Sequence, residues 1–175
     1  MAITNNYVPE KINEYNVYLD GVKMIGVAEE VELPTLGMKS GNVEGMGILG
    51  EVESPTLGQF EKMEQVINFS HMYSSAAAVM QRYSSVNITV RAAQQNYDLQ
   101  GGYNHIQLRV VSRGRVKNFE PGKLKRGENM GAKLTLELTY LLIETGGQKQ
   151  IEIDKLNNVY KVNGVDLLAQ IRAMV

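Results

Sequence analysis

The chain has 175 residues, which is enough for one domain with a substantial core and too few for a second, catalytic one. Apolar residues make up 43% and charged residues 21%, so the chain folds, and a formal charge of −1 argues against a surface organised wholly around nucleic acid. The absence of cysteine excludes a disulfide framework, a thiolate nucleophile and Cys-ligated metal centres.

The start, Met1 to Asn6, has no charged segment followed by an apolar run, and no stretch of about 18 apolar residues occurs, which predicts a protein made in the cytoplasm without membrane insertion. From Glu14 onward, short β-type runs alternate with Gly, Asn and Asp breaks, the pattern of a mainly antiparallel protein. Asn16 to Leu19, Asp20-Gly21 and Val22 to Ala28 read as a hairpin, because Asp-Gly supplies the positive φ angles of a tight turn. A further strand runs from Glu29 to Leu33 and stops at Pro34, which has no donor for the ladder.

Leu36 to Gly58 carries six glycines in 23 positions, with Leu36, Met38, Met46, Ile48 and Leu49 interspersed. Ordering so much glycine costs roughly 1–2 kcal/mol per residue, so the segment is expected to have no fixed shape on its own. It is either a mobile surface loop or an arm that orders against a neighbouring subunit.

Met63, Gln65, Ile67 and Phe69 alternate with Lys62, Glu64, Val66 and Asn68, and Val86, Ile88, Val90 and Ala92 alternate with Asn87, Thr89, Arg91 and Ala93; both read as half-buried strands. Between them, Met72, Ala76, Val79, Met80 and Tyr83 make one apolar stripe of a three-turn helix. A strand follows at His105 to Ser112, and Leu134, Leu136, Leu138 and Tyr140 form the inward row of another, alternating with Lys133, Thr135, Glu137 and Thr139 before Gly146-Gly147 turns toward Ile151 and Ile153. A closing helix is predicted with Asn163 as N-cap, Asp166 three residues on, and Leu167, Leu168, Ile171 and Met174 or Val175 as its apolar face.

Little in the chain points to catalysis. Gly45-Met46-Gly47-Ile48-Leu49-Gly50 matches a dinucleotide fingerprint, but no helix can follow through Glu51-Val52-Glu53-Ser54-Pro55, so no cofactor is expected. His71 and His105 sit in no recognisable catalytic spacing, and Glu29, Glu30 and Glu32 splay to two faces of a strand, so no metal is expected either. Eight of the 18 basic residues fall between Arg109 and Lys133, including Arg113, Arg115, Lys117, Lys125 and Arg126. Three readings stay open for this excess: phosphate contacts, a patch facing acidic groups of a neighbouring subunit, or a solvated face. With Phe119 the lone aromatic there, a stacking platform for single strands is disfavoured.

Ser112-Arg113-Gly114-Arg115, the spaced Gly122, Lys125, Gly127 and Glu128, the strand Leu134 to Tyr140, Ile151 to Asn157 and Val162 to Leu167 together resemble the FII family of major tail tube proteins of contractile phage tails and R-type bacteriocins. Asp20-Gly21, Gly26-Val27 and Glu30 to Pro34 are similar to that family's start, so the resemblance spans nearly the whole chain.

The resemblance implies a non-enzymatic subunit, residues 1–175 forming a single domain: an antiparallel β-sandwich or barrel with a flanking helix and a short C-terminal helix. Six-membered rings of it stack into a tube, with the Gly-rich arm at about 36–58 between subunits. Arg113, Arg115, Lys117, Lys125 and Arg126 become an inter-subunit patch, and Lys62, Glu64, Asn87, Thr89, Arg91, Gln107 and Arg109 candidates for the lumen wall. Implied partners are further copies, a contractile sheath protein, baseplate or tube-initiator proteins, a tape-measure protein and, in a phage, DNA in the channel. The particle would assemble in the bacterial host's cytoplasm and leave as part of a virion tail or bacteriocin. Rival readings are a ring-forming tube protein of type VI secretion and a monomeric β-barrel module that binds nucleic acid.

Overall fold

The computed structural model describes residues 7–23, 28–45, 47, 49–72, 80, 84–98 and 101–174. Nearly all of the secondary structure among them is antiparallel strand: β1 (Tyr7–Leu19), β2 (Val22–Lys23), β3 (Ala28–Glu32), β4 (Met38–Val43), β5 (Val52–Phe60), β6 (Glu64–Phe69), β7 (Val86–Asp98), β8 (Gly102–Glu120), β9 (Ala132–Thr145), β10 (Gln148–Asp154), β11 (Val159–Val162) and β12 (Val165–Asp166). A single described helical turn, α1 (Ala169–Arg172), follows. No helix among the described residues is long and apolar enough to cross a membrane.

One sheet runs in the order β12-β11-β10-β9-β8-β7-β1-β2, and it forks at β9. β8 lines one edge of β9 throughout, while the other edge is shared: β6 pairs with Ala132 to Glu137, and β10 with Tyr140 to Thr145. β3 completes the short limb by pairing with β6. The change of partner falls at a register shift, where Leu138 faces Gly114 and Tyr140 faces Arg113, leaving Thr139 over. Gly114 permits the close approach there, since a Cβ on it would lie 2.2 Å from the Glu137 carbonyl oxygen. The fork is tied on both sides, by Leu138 N–H to the Met63 carbonyl at 2.8 Å and by Lys155 N–H to the Thr139 carbonyl at 2.9 Å.

Folding at this corner sets the inner faces of the two limbs against each other as a sandwich. Met63, Ile67, Phe69, Leu134, Leu136 and Leu138 of the short limb share one core with Val17, Val86, Ile88, Val90, Val110, Leu141 and Ile153 of the long one. The sets Met63, Gln65, Ile67, Phe69 and Val86, Ile88, Val90, Ala92 read from the sequence both face inward. The pair Ser112 and Gln65, both buried, joins the limbs through a hydrogen bond from the Ser112 hydroxyl to Gln65 Oε1. On one side Tyr15 of β1 donates to the Glu29 carbonyl of β3 at 2.6 Å, beside an apolar groove of about 210 Å³ lined by Ile12, Val31, Leu33, Val90 and Leu108.

The tight turns are where the sequence placed them: Asp20-Gly21 (φ 47° and 85°) and Gly146-Gly147 (φ 59° and 78°) both use left-handed pairs suited to two-residue hairpins. Three expectations need correction. Asn163 does not cap a helix: with φ 48°, and Gly164 at 81°, it makes another two-residue turn, between β11 and β12. Asp166 therefore lies in a strand, and only the four residues of α1 are helical, capped by no side chain. The Gly-rich segment is not shapeless, because β4 and β5 pair with each other in a separate two-stranded sheet. Finally, Tyr140 does not continue the inward row of Leu134, Leu136 and Leu138; the extra Thr139 turns it outward and Leu141 takes its place in the core. Apart from Met72 and Met80, both exposed, the apolar stripe of the helix predicted around Met72 to Tyr83 lies outside the described residues.

Candidate assembly surfaces

Strand alternation gives the long limb a polar outer face. Across β1, β7, β8 and β9 the register aligns Asn16, Arg91, Arg109 and Glu144 in one row, and Asn87, Arg113 and Tyr140 in another. Five of the seven lumen candidates, Asn87, Thr89, Arg91, Gln107 and Arg109, share this face. The other two, Lys62 and Glu64, lie beyond the corner, Glu64 on the outer face of the short limb and Lys62 just before it.

Charge on the long-limb face is locally matched. Arg109 pairs with Glu144 at 2.9 Å, Arg91 stands 5.5 Å from the centre of the Tyr18 ring, and Arg113 donates from Nε to Asn87 Oδ1 at 2.8 Å. Arg113 also lies 5.6 Å from the Tyr140 ring centre. Tyr140 donates to Glu152 at 3.1 Å, and burial together with the Glu152 carboxylate pushes its hydroxyl up to about 12. Burial, followed by the charges of Glu30 and Glu29, likewise raises Tyr15.

The basic candidates divide into two groups. Arg113, Arg115 and Lys117 climb β8 across the corner. Lys117 is held by Glu64, whose hydrogen bond raises the ammonium while the same bond lowers the carboxylate, and Lys62 adds a second contact at 3.4 Å. Arg115 sits opposite Glu137 in the ladder. Lys125 and Arg126 belong instead to the loop from Pro121 to Gly131, where Lys125 pairs with Glu128 and Arg126 is exposed. That loop is fixed at its neck by Lys123 N–H to the Met130 carbonyl and by Met130 N–H to the Ser70 carbonyl, both at 2.8 Å. Its Leu124 stands 91% exposed, a residue the sequence reading passed over although a lone leucine between two lysines is visible in the chain.

The hairpin arm is rooted at its base and open beyond it. Leu36 is half-buried against the core, Met38 is half-buried in β4, and Phe60 packs edge-on against Tyr160 at 4.9 Å. From Lys39 to Val43 and from Val52 to Leu57 every residue is exposed, and Leu49 near the tip is fully so. Met46 and Ile48 lie outside the described residues. β5, not a helix, follows the Gly45 to Gly50 segment, so the dinucleotide context is missing. Another open border is β1: among the described residues, Tyr7 to Val17 pairs only with β7, and this edge was missed in the sequence because Pro9 and the bulges around Lys11 and Asn13 break its alternation. His71 and His105 are exposed, their ring nitrogens 2.6 Å from the Ser70 carbonyl and 3.2 Å from Asn13 Nδ2. The described residues hold no cluster of three or more His, Asp or Glu fit for a metal.

Among the described residues the arrangement offers an edge, an arm and paired surface charge, and sequence comparison gives these a context. The profile of the family described as phage tail tube protein FII matches residues 9–175. The chain belongs to that family. It is 29% identical over 165 residues to the tail tube protein of Escherichia phage P2, covering 94% of this chain and 96% of that protein. It is also 25% identical over 160 residues to the major tail tube protein of Serratia phage KSP20, covering 91% of each. The fold resembles the sheath/tube terminator of an extracellular contractile injection system, with a TM-score of 0.57 and 9% identity over 78% of this chain and 97% of that one. For an FII tail tube protein, Ser112-Arg113-Gly114-Arg115 now has a physical meaning: it carries the buried inter-limb serine, the close-packed corner and the two arginines that leave it.

Proposed function

We infer that this chain is the structural subunit of a contractile particle's inner tail tube, a virion component that polymerises into six-membered rings stacked around a channel. The observation that carries the reading is the family match over residues 9–175, on a fold whose strand β1, among the described residues, pairs on one side only from Tyr7 to Val17. Unpaired edges are an aggregation hazard in a monomer, and closing a ring by edge pairing removes it. The polar face with Asn87, Thr89, Arg91, Gln107 and Arg109 lines the channel. Of its two arginines, Arg109 is ion-paired with Glu144 and Arg91 lies against the Tyr18 ring, so one of the two cations that passing DNA would meet is already neutralised.

Sheath protein, baseplate or initiator proteins and a tape-measure protein complete the partners, and assembly takes place in the host cytoplasm. No step requires catalysis. Negative-stain microscopy of the purified protein, alone and with baseplate components, tests the reading. Rings and tubes with six-fold symmetry are expected, and monomer alone at high concentration in both samples would overturn it.

A further inference from the structure

Two protrusions leave the subunit at opposite ends of β6. The arm departs from Phe60 and Met63 at one end, and the loop Pro121 to Gly131 is tied to Ser70 at the other. Six strand residues separate the two roots, roughly 20 Å at about 3.3 Å per residue. Each protrusion exposes a leucine bracketed by charge of one sign. Leu49, 105% exposed, stands between Glu44 and Glu51, with Glu53 two residues further on. Leu124, 91% exposed, stands between Lys123 and Lys125, next to Arg126.

Glu51 and Glu53 share one face of the arm, since Asn42 donates to Glu51 at 3.4 Å and Ser40 donates to Glu53. None of the three glutamates is in an ion pair among the described residues, and neither is Lys123 or Arg126. The loop is a built receptor rather than a loose tail. Gly122 at φ 85° turns its neck where a Cβ would meet the Met130 carbonyl oxygen at 2.1 Å, and Asn129 is bound to Glu29.

We propose that the acidic arm of one copy docks on the basic loop of the next copy along the tube, Glu51 and Glu53 meeting Lys123 and Arg126 while Leu49 and Leu124 cover each other. This rests on the tube-subunit reading and names the surfaces that stack its rings. Because donor and acceptor are different surfaces, rooted at opposite ends of β6, the contact is head-to-tail and can repeat along an open stack. Charge also sets polarity: arm against arm and loop against loop both repel.

The test compares wild type with Glu51→Lys plus Glu53→Lys, with Lys123→Glu plus Arg126→Glu, and with the fourfold variant carrying all of these. All four side chains are exposed, and denaturant midpoints of the free subunits serve as the folding control. Each double variant is expected to form rings but to need about tenfold more protein for tubes, scored by sedimentation and microscopy. The fourfold variant, with both signs exchanged, is expected to return to within about threefold of wild type. Double variants that polymerise like wild type, or a fourfold variant no better than either double, would overturn the docking. Wild-type protein that forms no rings or tubes would instead sink the tube-subunit reading on which the docking depends.

Discussion

Replacing Gly114 with alanine strikes the corner on which the whole fold turns. The added methyl would lie 2.2 Å from the Glu137 carbonyl oxygen, 2.9 Å from its carbon and 3.0 Å from the Leu138 Cα, all backbone atoms that no rotamer change can move aside. Ordinary contact begins at 3.4 Å, so β8 and β9 must separate by more than 1 Å locally. β9 cannot retreat freely, because the Leu138 amide is held by Met63 and the Thr139 carbonyl by Lys155. Overpacking strain of about 1–3 kcal/mol, with one or two ladder hydrogen bonds at about 1 kcal/mol each, gives a loss of roughly 3 kcal/mol. Against a total of about 5–15 kcal/mol this is a large fraction. With a urea slope of about 2 kcal/mol per molar, the unfolding midpoint of the free subunit should fall by about 1.5 M. Gly41→Ala is the control, since a Cβ there meets nothing within 4 Å, and its midpoint should barely move. A Gly114→Ala subunit destabilised by less than about 0.5 kcal/mol would refute the close-approach account of the corner.

Ser112→Ala should cost about 1–3 kcal/mol by leaving the buried Gln65 amide without its donor, whereas Ser112→Ala with Gln65→Leu should recover most of it; a single variant no less stable than the double would contradict this. Asp166 accepts from the Arg172 side chain and from the Leu168 amide, and these bonds, the arginine's first, hold its carboxyl below the ordinary 3.8. A lowered folded value means stabilisation that is complete above the unfolded value and lost as pH falls through the folded one. The stability gap between wild type and Asp166→Asn should therefore be full above the ordinary carboxyl range and shrink as pH falls below it, and a gap unchanged over that fall would count against the pairing.

Much of this architecture is legible in the chain because burial on one side of a pleat imposes a period of two: Met63 to Phe69, Val86 to Ala92 and Leu134 to Leu138 each show it, and each faces the core. What the period cannot show is a change of phase. One surplus residue, Thr139, reverses the faces beyond it, so Tyr140 looks inward on paper and points outward in the fold. Asn163 misled for another reason: Asn-Gly serves both as a helix start and as a left-handed hairpin turn, and the pairing of Lys161 with Asp166 decides for the turn. The lumen candidates divided because strand partners are non-local. Nothing near Glu64 in sequence reveals that its strand lies beyond the corner from Arg109. The arm differed since glycine cost was weighed without the cross-strand hydrogen bonds that offset part of it.

A subunit whose β1, among the described residues, pairs on one side only over most of its length must avoid pairing with every strand it meets, and β1 carries the means to do so. Two register shifts, between Pro9 and Lys11 and between Ile12 and Glu14, interrupt the half of the strand nearest its start, and Glu10, Lys11 and Glu14 place charge along it. Bulges, proline and charge are the devices by which natural sheets block edge-to-edge association. They block it selectively, because a partner strand whose own irregularities match the bulges can still complete the ladder. Over Tyr15 to Leu19 the strand is regular in its pairing with β7, and at Tyr18 and Leu19 β2 occupies the opposite edge. On the tube-subunit reading, pairing at such an interrupted edge is expected to gain strength only when a matching strand, the arm and the loop are engaged together, and free subunits that polymerise readily without an existing end would count against this.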